Sequence, residues 1–135
     1  MSQENVEVVG SAFEAWNRDG LDAFADRWAD DIEWRAVEGA PDDRGPLHGK
    51  AACRSYLQDW LDTFDGLTVE PVELIDAGGG RVVAVLRYSG RAKQSGVDVP
   101  ASSFAAVYVI KEGMIAGGRE YATREEALAA AGLRE

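Results

Sequence analysis

One cysteine, one histidine, two methionines and four prolines are all that these 135 residues hold of those types. A lone Cys53 excludes an internal disulfide, so packing and hydrogen bonding must hold the fold. A lone His48 excludes a histidine-rich metal site, and no cysteine or carboxylate spacing replaces it. No metal and no cofactor is expected. Apolar runs are short, and none nears the roughly 20 residues a helix needs to cross a bilayer. The opening MSQENVEVVG has neither a basic start nor an apolar stretch, so it does not read as a signal peptide, and a cytoplasmic location is the expectation. Positive charge is scarce as well. Against 24 Asp and Glu stand 14 Lys and Arg, a formal charge of −10. Such a surface repels phosphates and anionic lipid, which argues against nucleic-acid and membrane partners.

What is present is ordinary for a globular protein, with 46% hydrophobic and 28% charged residues. The length fits one domain, residues 1–135, large enough to bury a core. Val6, Val9, Phe13 and Trp16 recur at spacings of three and four, predicting a helix over residues 3–18 with Ser2 as its cap. Asn17–Gly20 breaks it, and a second helix from Leu21 carries Phe24, Ala25 and Trp28 on its stripe. Residues 31–38 switch to a period of two, with Ile32, Trp34, Ala36 and Glu38 on one face of a strand. Residues 39–48 carry turn signals and read as a loop. A helix from Gly49 to about Phe64 presents Cys53, Tyr56, Leu57, Trp60, Leu61 and Phe64 on a broad apolar face.

After Gly66 everything is strand-like. Leu67–Asp76, Arg81–Ala92, a strand from near Val97 or Pro100 to Lys111, and Met114–Tyr121 are joined by turns at Gly78–Gly80, Lys93–Gly96 and Glu112-Gly113. Thr123 and Glu126 form a capping box before a short alanine-rich helix. Helices first and antiparallel strands last give an α+β fold: a cone-shaped barrel, its curved, mostly antiparallel sheet wrapped around three helices, with a short C-terminal helix.

That order, with WADDIEW, Gly-Pro-Leu-His-Gly-Lys before the third helix and the closing hairpin, resembles the SnoaL-like group of the superfamily named for nuclear transport factor two, which includes ketosteroid isomerase. The resemblance spans essentially the whole chain. It implies a cone-shaped pocket for a small, largely apolar molecule and a homodimer formed through the sheet's outer face. It does not fix an activity, because members include isomerases, cyclases, hydrolases and non-catalytic binders. The tyrosine, base and acidic donor of ketosteroid isomerases match Ala12, Ala36 and Ala106. With no base and no donor that mechanism cannot run. The histidine of aldol-type polyketide cyclases matches Ala92, while their acid on the last strand corresponds to Glu120 or a residue beside it. The Asp–Arg–Asp set of the limonene epoxide hydrolase type cannot be assembled.

Three ionisable residues are the catalytic candidates. His48 titrates nearest neutral pH and leads into the third helix, where it either contacts ligand or hydrogen-bonds the turn. Glu38, on the Trp34 face, is either a base with a raised pKa beside apolar walls or a solvated rim residue. Arg119 either holds a carboxylate or enolate oxygen of a ligand or forms an ion pair. A strict period of two puts Arg119 and Tyr121 on one face with Ile115 and Gly117, from which Arg119 would reach a ligand if that face is concave, and points Glu120 the other way. Trp34, Tyr56, Trp60, Tyr88, Phe104, Tyr108 and Tyr121 are the ligand-binding candidates, each of them also readable as ordinary core. Buried Tyr and Trp bring polar tips that a ligand pocket would partner. Three functions follow: a cone that binds a small apolar molecule; an isomerase, cyclase, lyase or hydrolase acting on one; or a dimerisation or partner-binding module.

Overall fold

The computed structural model describes residues 2–133, and their side chains apart from those of residues 2 and 99–101. The cap expected of Ser2 lies outside those side chains. The chain runs α1 (Ser2–Asp19), α2 (Leu21–Ala25), β1 (Trp28–Arg35), β2 (Leu47–His48), α3 (Lys50–Thr63), β3 (Phe64–Gly78), β4 (Arg81–Ala92), β5 (Asp98–Lys111), β6 (Met114–Tyr121) and α4 (Arg124–Ala130). The six strands form one curved, open sheet in the order β2-β1-β6-β5-β4-β3, in which β1 and β6 run parallel and every other pair is antiparallel. The fold is the α+β cone that the element order implied.

Helix α1 lays Val9, Phe13 and Trp16 onto the sheet, and α3 closes the space beside it with Cys53, Tyr56 and Leu57. Removing Ile32, Leu86 and Ile115 from water is worth roughly 1.5–3 kcal/mol each. A second, smaller core lies on the sheet's other face. There Ala127, Leu128 and Ala131 of and beside α4 cover Val83 and Ala105, with Tyr121 and Val107 at its edge. Thr123 caps α4 by accepting from the Glu126 N–H at 3.1 Å. Its hydroxyl donates to Glu126 Oε1, in place of the expected return from Glu126 to the cap's own N–H.

Two departures from simple periodicity shape the interior. Trp28 belongs to β1 and not to α2, which closes after five residues when the Asp26 N–H bonds to the Asp22 carbonyl. The backbone of Trp28 is then taken up by the sheet, opposite Ile115 of β6. The second departure is a bulge in β6. Ile110 pairs with Ile115 and Val109 with Gly117, so Ala116 is an extra residue without a partner in the ladder. One extra residue reverses the facing of everything after it. Ile115 points inward, but from Gly117 onward the even positions do.

Candidate functional site

The bulge delivers the residue on which the site is built. Among the described residues, Glu120 is the one charged side chain that is buried, at 5% exposure. The expected facing is thereby corrected: Glu120 points inward, while Arg119 and Tyr121 lie on the outer face. The Trp34 indole N–H donates to Glu120 Oε2 at 3.0 Å, and the Tyr56 hydroxyl donates to Oε1 at 2.7 Å. Gly118 makes room for this. It stands opposite Trp34 in the sheet, and a Cβ on it would come within 2.9 Å of the indole ring and 3.0 Å of Tyr108.

Burial is the main force on the carboxyl and pushes its pKa up to about 7, against the pull of the hydrogen bonds from Tyr56 and Trp34. Nearby Asp42 adds to the upward push. The same burial, reinforced by the Glu120 charge, holds the phenols of Tyr56 and Tyr108 well above their usual range. Both stay neutral hydrogen-bonding groups at any physiological pH.

Beside Glu120 lies a cavity of about 30 Å³ walled by Phe13, Trp34, Leu57, Trp60, Phe104 and Tyr108, among others. That is room for about one or two waters. Tyr108 is almost fully buried, yet its hydroxyl has no hydrogen-bond partner among the described residues. The cavity is apolar apart from these groups. Outside it opens a vestibule of about 470 Å³ lined by Pro41, Asp42, Asp59, Trp60, Phe64 and Tyr88, among others. Trp60 belongs to both walls and is the partition between them, with Tyr88 at 5.5 Å and Phe104 at 5.9 Å between ring centres.

A loop shapes the rim. Asp43 accepts from both the Gly39 and Gly45 N–H groups at 2.9 Å and from Arg35 at 3.1 and 3.3 Å. The Arg35 guanidinium, helped by those two backbone donors, holds the Asp43 carboxyl well below the usual carboxylate range. With Asp43 anchored, neighbouring Asp42 lies over the vestibule and meets the Tyr56 hydroxyl at 3.1 Å.

The candidates divide by face. Trp34, Tyr56, Trp60, Tyr88, Phe104 and Tyr108 come together around the cavity and vestibule. Glu38, His48, Arg119 and Tyr121 do not join them. Strand β1 ends at Arg35 and the chain turns, with the Ala40 N–H bonding to the Val37 carbonyl, so the alternation never reaches Glu38. Glu38 is exposed and pairs with Arg119 at 2.9 Å and Arg35 at 3.3 Å. His48 is exposed on β2 and meets Glu33 at 3.0 Å. Arg119 lies 5.9 Å from the Tyr121 ring centre in a groove on the outer face that His48 and Arg81 also line. Ala12, Ala36 and Ala106 are all buried in the main core, where they bring no polar group. Glu120 as an interior acid and Asp42 at the rim are the additions. The signal for Glu120 was the glycine pair Gly117-Gly118, since glycine inside a strand marks a bulge or a close approach.

A SnoaL-like domain profile matches residues 9–117. The chain belongs to the SnoaL-like domain family. Solved structures agree on the fold. An NTF2-like protein from Burkholderia thailandensis E264 is 24% identical at a TM-score of 0.74, over 96% of this chain and 98% of that one. TerC, solved with polyporic acid, is 18% identical at a TM-score of 0.74, over 89% and 92%. A SnoaL-like polyketide-cyclase-type protein from Jannaschia sp. CCS1 is 15% identical at a TM-score of 0.75, over 99% and 95%. At these identities the likeness carries the fold and no activity. No curated sequence relative matches the chain. Among the described residues no helix is long and apolar enough to cross a membrane.

Proposed function

We propose that this SnoaL-like protein binds a small, mainly apolar ring compound bearing one oxygen function, a ketone, quinone or phenol, and exchanges a proton with it through Glu120. The observation that carries the reading is a buried carboxyl that titrates about neutral pH beside a cavity walled by aromatic rings. A group with that pKa gives and takes a proton equally well at pH 7, as general acid–base work requires. The unpartnered Tyr108 hydroxyl supplies a second donor for the ligand oxygen. The 470 Å³ vestibule falls within the usual range of roughly 300–1,000 Å³ for small-molecule sites, whereas the inner cavity is far below it. The ring therefore sits in the vestibule and its oxygen reaches past Trp60 toward Glu120 and Tyr108. Like other members of its superfamily, the protein is taken to work as a homodimer through the outer sheet face, where Val107, Val109 and Tyr121 remain partly exposed.

The test is a thermal-shift screen of cyclic ketones, quinones and phenols against their deoxygenated analogues, since a ligand of the folded state raises its melting temperature. Oxygenated rings are expected to give the shift. Tyr108→Phe should weaken the best of them about tenfold, the worth of one buried hydrogen bond. Equal shifts with and without the oxygen, or no loss in Tyr108→Phe, would refute the placement.

A further inference from the structure

The Tyr56 hydroxyl lies between two carboxyl groups, Asp42 Oδ2 at 3.1 Å and Glu120 Oε1 at 2.7 Å. It has one proton to donate. If both carboxyls were ionised, one of these contacts would set oxygen against oxygen with no hydrogen between them. The chain of three groups is complete only when one carboxyl is protonated, and it is complete in two ways. In the first, Asp42 holds the extra proton and donates to the phenol, which donates to the Glu120 carboxylate. In the second, Glu120 holds it and donates to the phenol, which donates to the Asp42 carboxylate.

We infer that Asp42, Tyr56 and Glu120 form a proton relay that joins the buried Glu120 carboxyl to solvent at the rim. This rests on the reading of Glu120 as the proton-exchanging group. The step between the two states balances. The O–H bond at Asp42 breaks as that proton bonds to the Tyr56 oxygen, and the phenol's own proton passes to Glu120 Oε1. Tyr56 ends as it began, and the negative charge has moved from Glu120 to Asp42, where water restores the proton. Tyr56 is held far from ionising, so the two transfers occur together and no free phenolate is formed.

The surroundings fit this role. Asp42 is exposed at the vestibule, while Glu120 is sealed beneath Trp34, Tyr56, Trp60 and Tyr108. A ring compound seated in the vestibule would cover the cavity and cut Glu120 off from water on that side. The groups facing Glu120 are Trp34 from β1, Tyr56 from α3 and Tyr108 from β5, and beyond Tyr56 the loop's Asp42. None of the first three can itself supply a proton at neutral pH, so on this side the proton comes from solvent and passes by way of Asp42 and Tyr56. Asp42 acts through Tyr56 and is a positioning residue in any reaction, not a catalytic one.

The experiment follows Glu120 itself and needs no substrate. Its carboxyl band is identified in infrared difference spectra by its loss in Glu120→Gln. Its rate of protonation is then read after a rapid pH drop in the wild type, Asp42→Asn and Tyr56→Phe, each first checked for native circular dichroism. The relay predicts protonation at least tenfold slower in both variants. Asp42→Asn, an exposed loop change, keeps the test open if Tyr56→Phe fails to fold. An unchanged rate in Asp42→Asn with a shifted midpoint would make Asp42 a mere neighbouring charge, route the proton through the cavity and overturn the relay while leaving the Glu120 reading intact. A Glu120 band that never titrates near neutrality would sink both.

Discussion

At Glu120, burial and hydrogen bonding pull in opposite directions, and burial wins. The consequence is a pH dependence of stability with a definite sign. Below the ordinary carboxyl value of 4.5 the side chain is protonated folded and unfolded, and above about 7 it is ionised in both. Between those limits the folded protein holds more protons than the unfolded chain, so unfolding becomes easier as pH rises. The full effect for this one group is about 3 kcal/mol. Glu120→Gln removes it. The stability of the variant relative to wild type, from urea midpoints at fixed ionic strength, should therefore rise by about 2.5 kcal/mol between pH 5 and 8. Parallel curves would mean that the carboxyl is not destabilised by its site. Six of the seven aromatic candidates were legible from alternation and helix spacing, because large rings on one face have nowhere to go but inward. Glu120 was reached only through the resemblance to cyclases, and strict alternation turned it away, since a charged residue is ordinarily exposed and only the glycine pair before it hints at the bulge that brings it inward. Its indole and phenol partners are distant in sequence, at positions 34 and 56.

At the level of the element, β6 decides which side chains the cavity sees. Its period of two was read without interruption, and the single residue Ala116 overturned the facing of Arg119, Glu120 and Tyr121. Helices and hairpins were legible because each is specified by several residues together. The Glu112-Gly113 turn is an example, since both residues take positive φ, at 52° and 76°, as a two-residue hairpin requires. A bulge is specified by one residue against a partner strand, and so escapes a reading of β6 alone. The bulge makes an asymmetric prediction. Deleting Ala116 leaves a regular ladder in which Ile115, Gly118 and Glu120 still point inward, at a cost of roughly 1–2 kcal/mol for the lost bend. Inserting an alanine between Gly118 and Arg119, where the alternation is regular, reverses the end of the strand and drives Arg119 into the aromatic core, where an unpaired charge costs about 3–5 kcal/mol or more. Thermal melts of the two variants should show a modest drop for the deletion and loss of cooperative folding for the insertion. A strand of uninterrupted period would suffer equally from both.

Across the whole molecule, the cone is nearly full. The sheet curves around α1 and α3, but the rings of Phe13, Phe24, Trp34 and Tyr108 occupy most of the space enclosed and leave a remnant of about 30 Å³. A fold that implied a deep pocket has instead a shallow vestibule and a small inner chamber, divided by Trp60. No one segment encodes this, because it depends on the summed volume of side chains from three helices and four strands. The partition can be removed. Trp60 is half-buried, so Trp60→Ala should cost about 2 kcal/mol, less than the roughly 3–5 kcal/mol of a fully enclosed tryptophan. The cost is measured by a urea midpoint at constant slope. In return, vestibule and chamber become one apolar space that ends on Glu120 and Tyr108. Calorimetric titration with one-ring and two-ring ketones should then show selection moving toward the larger compounds, because the indole no longer fills the place of the second ring. If the variant remains folded and its preference is unchanged, the ligand does not pass Trp60 at all, and the vestibule alone sets what the protein accepts.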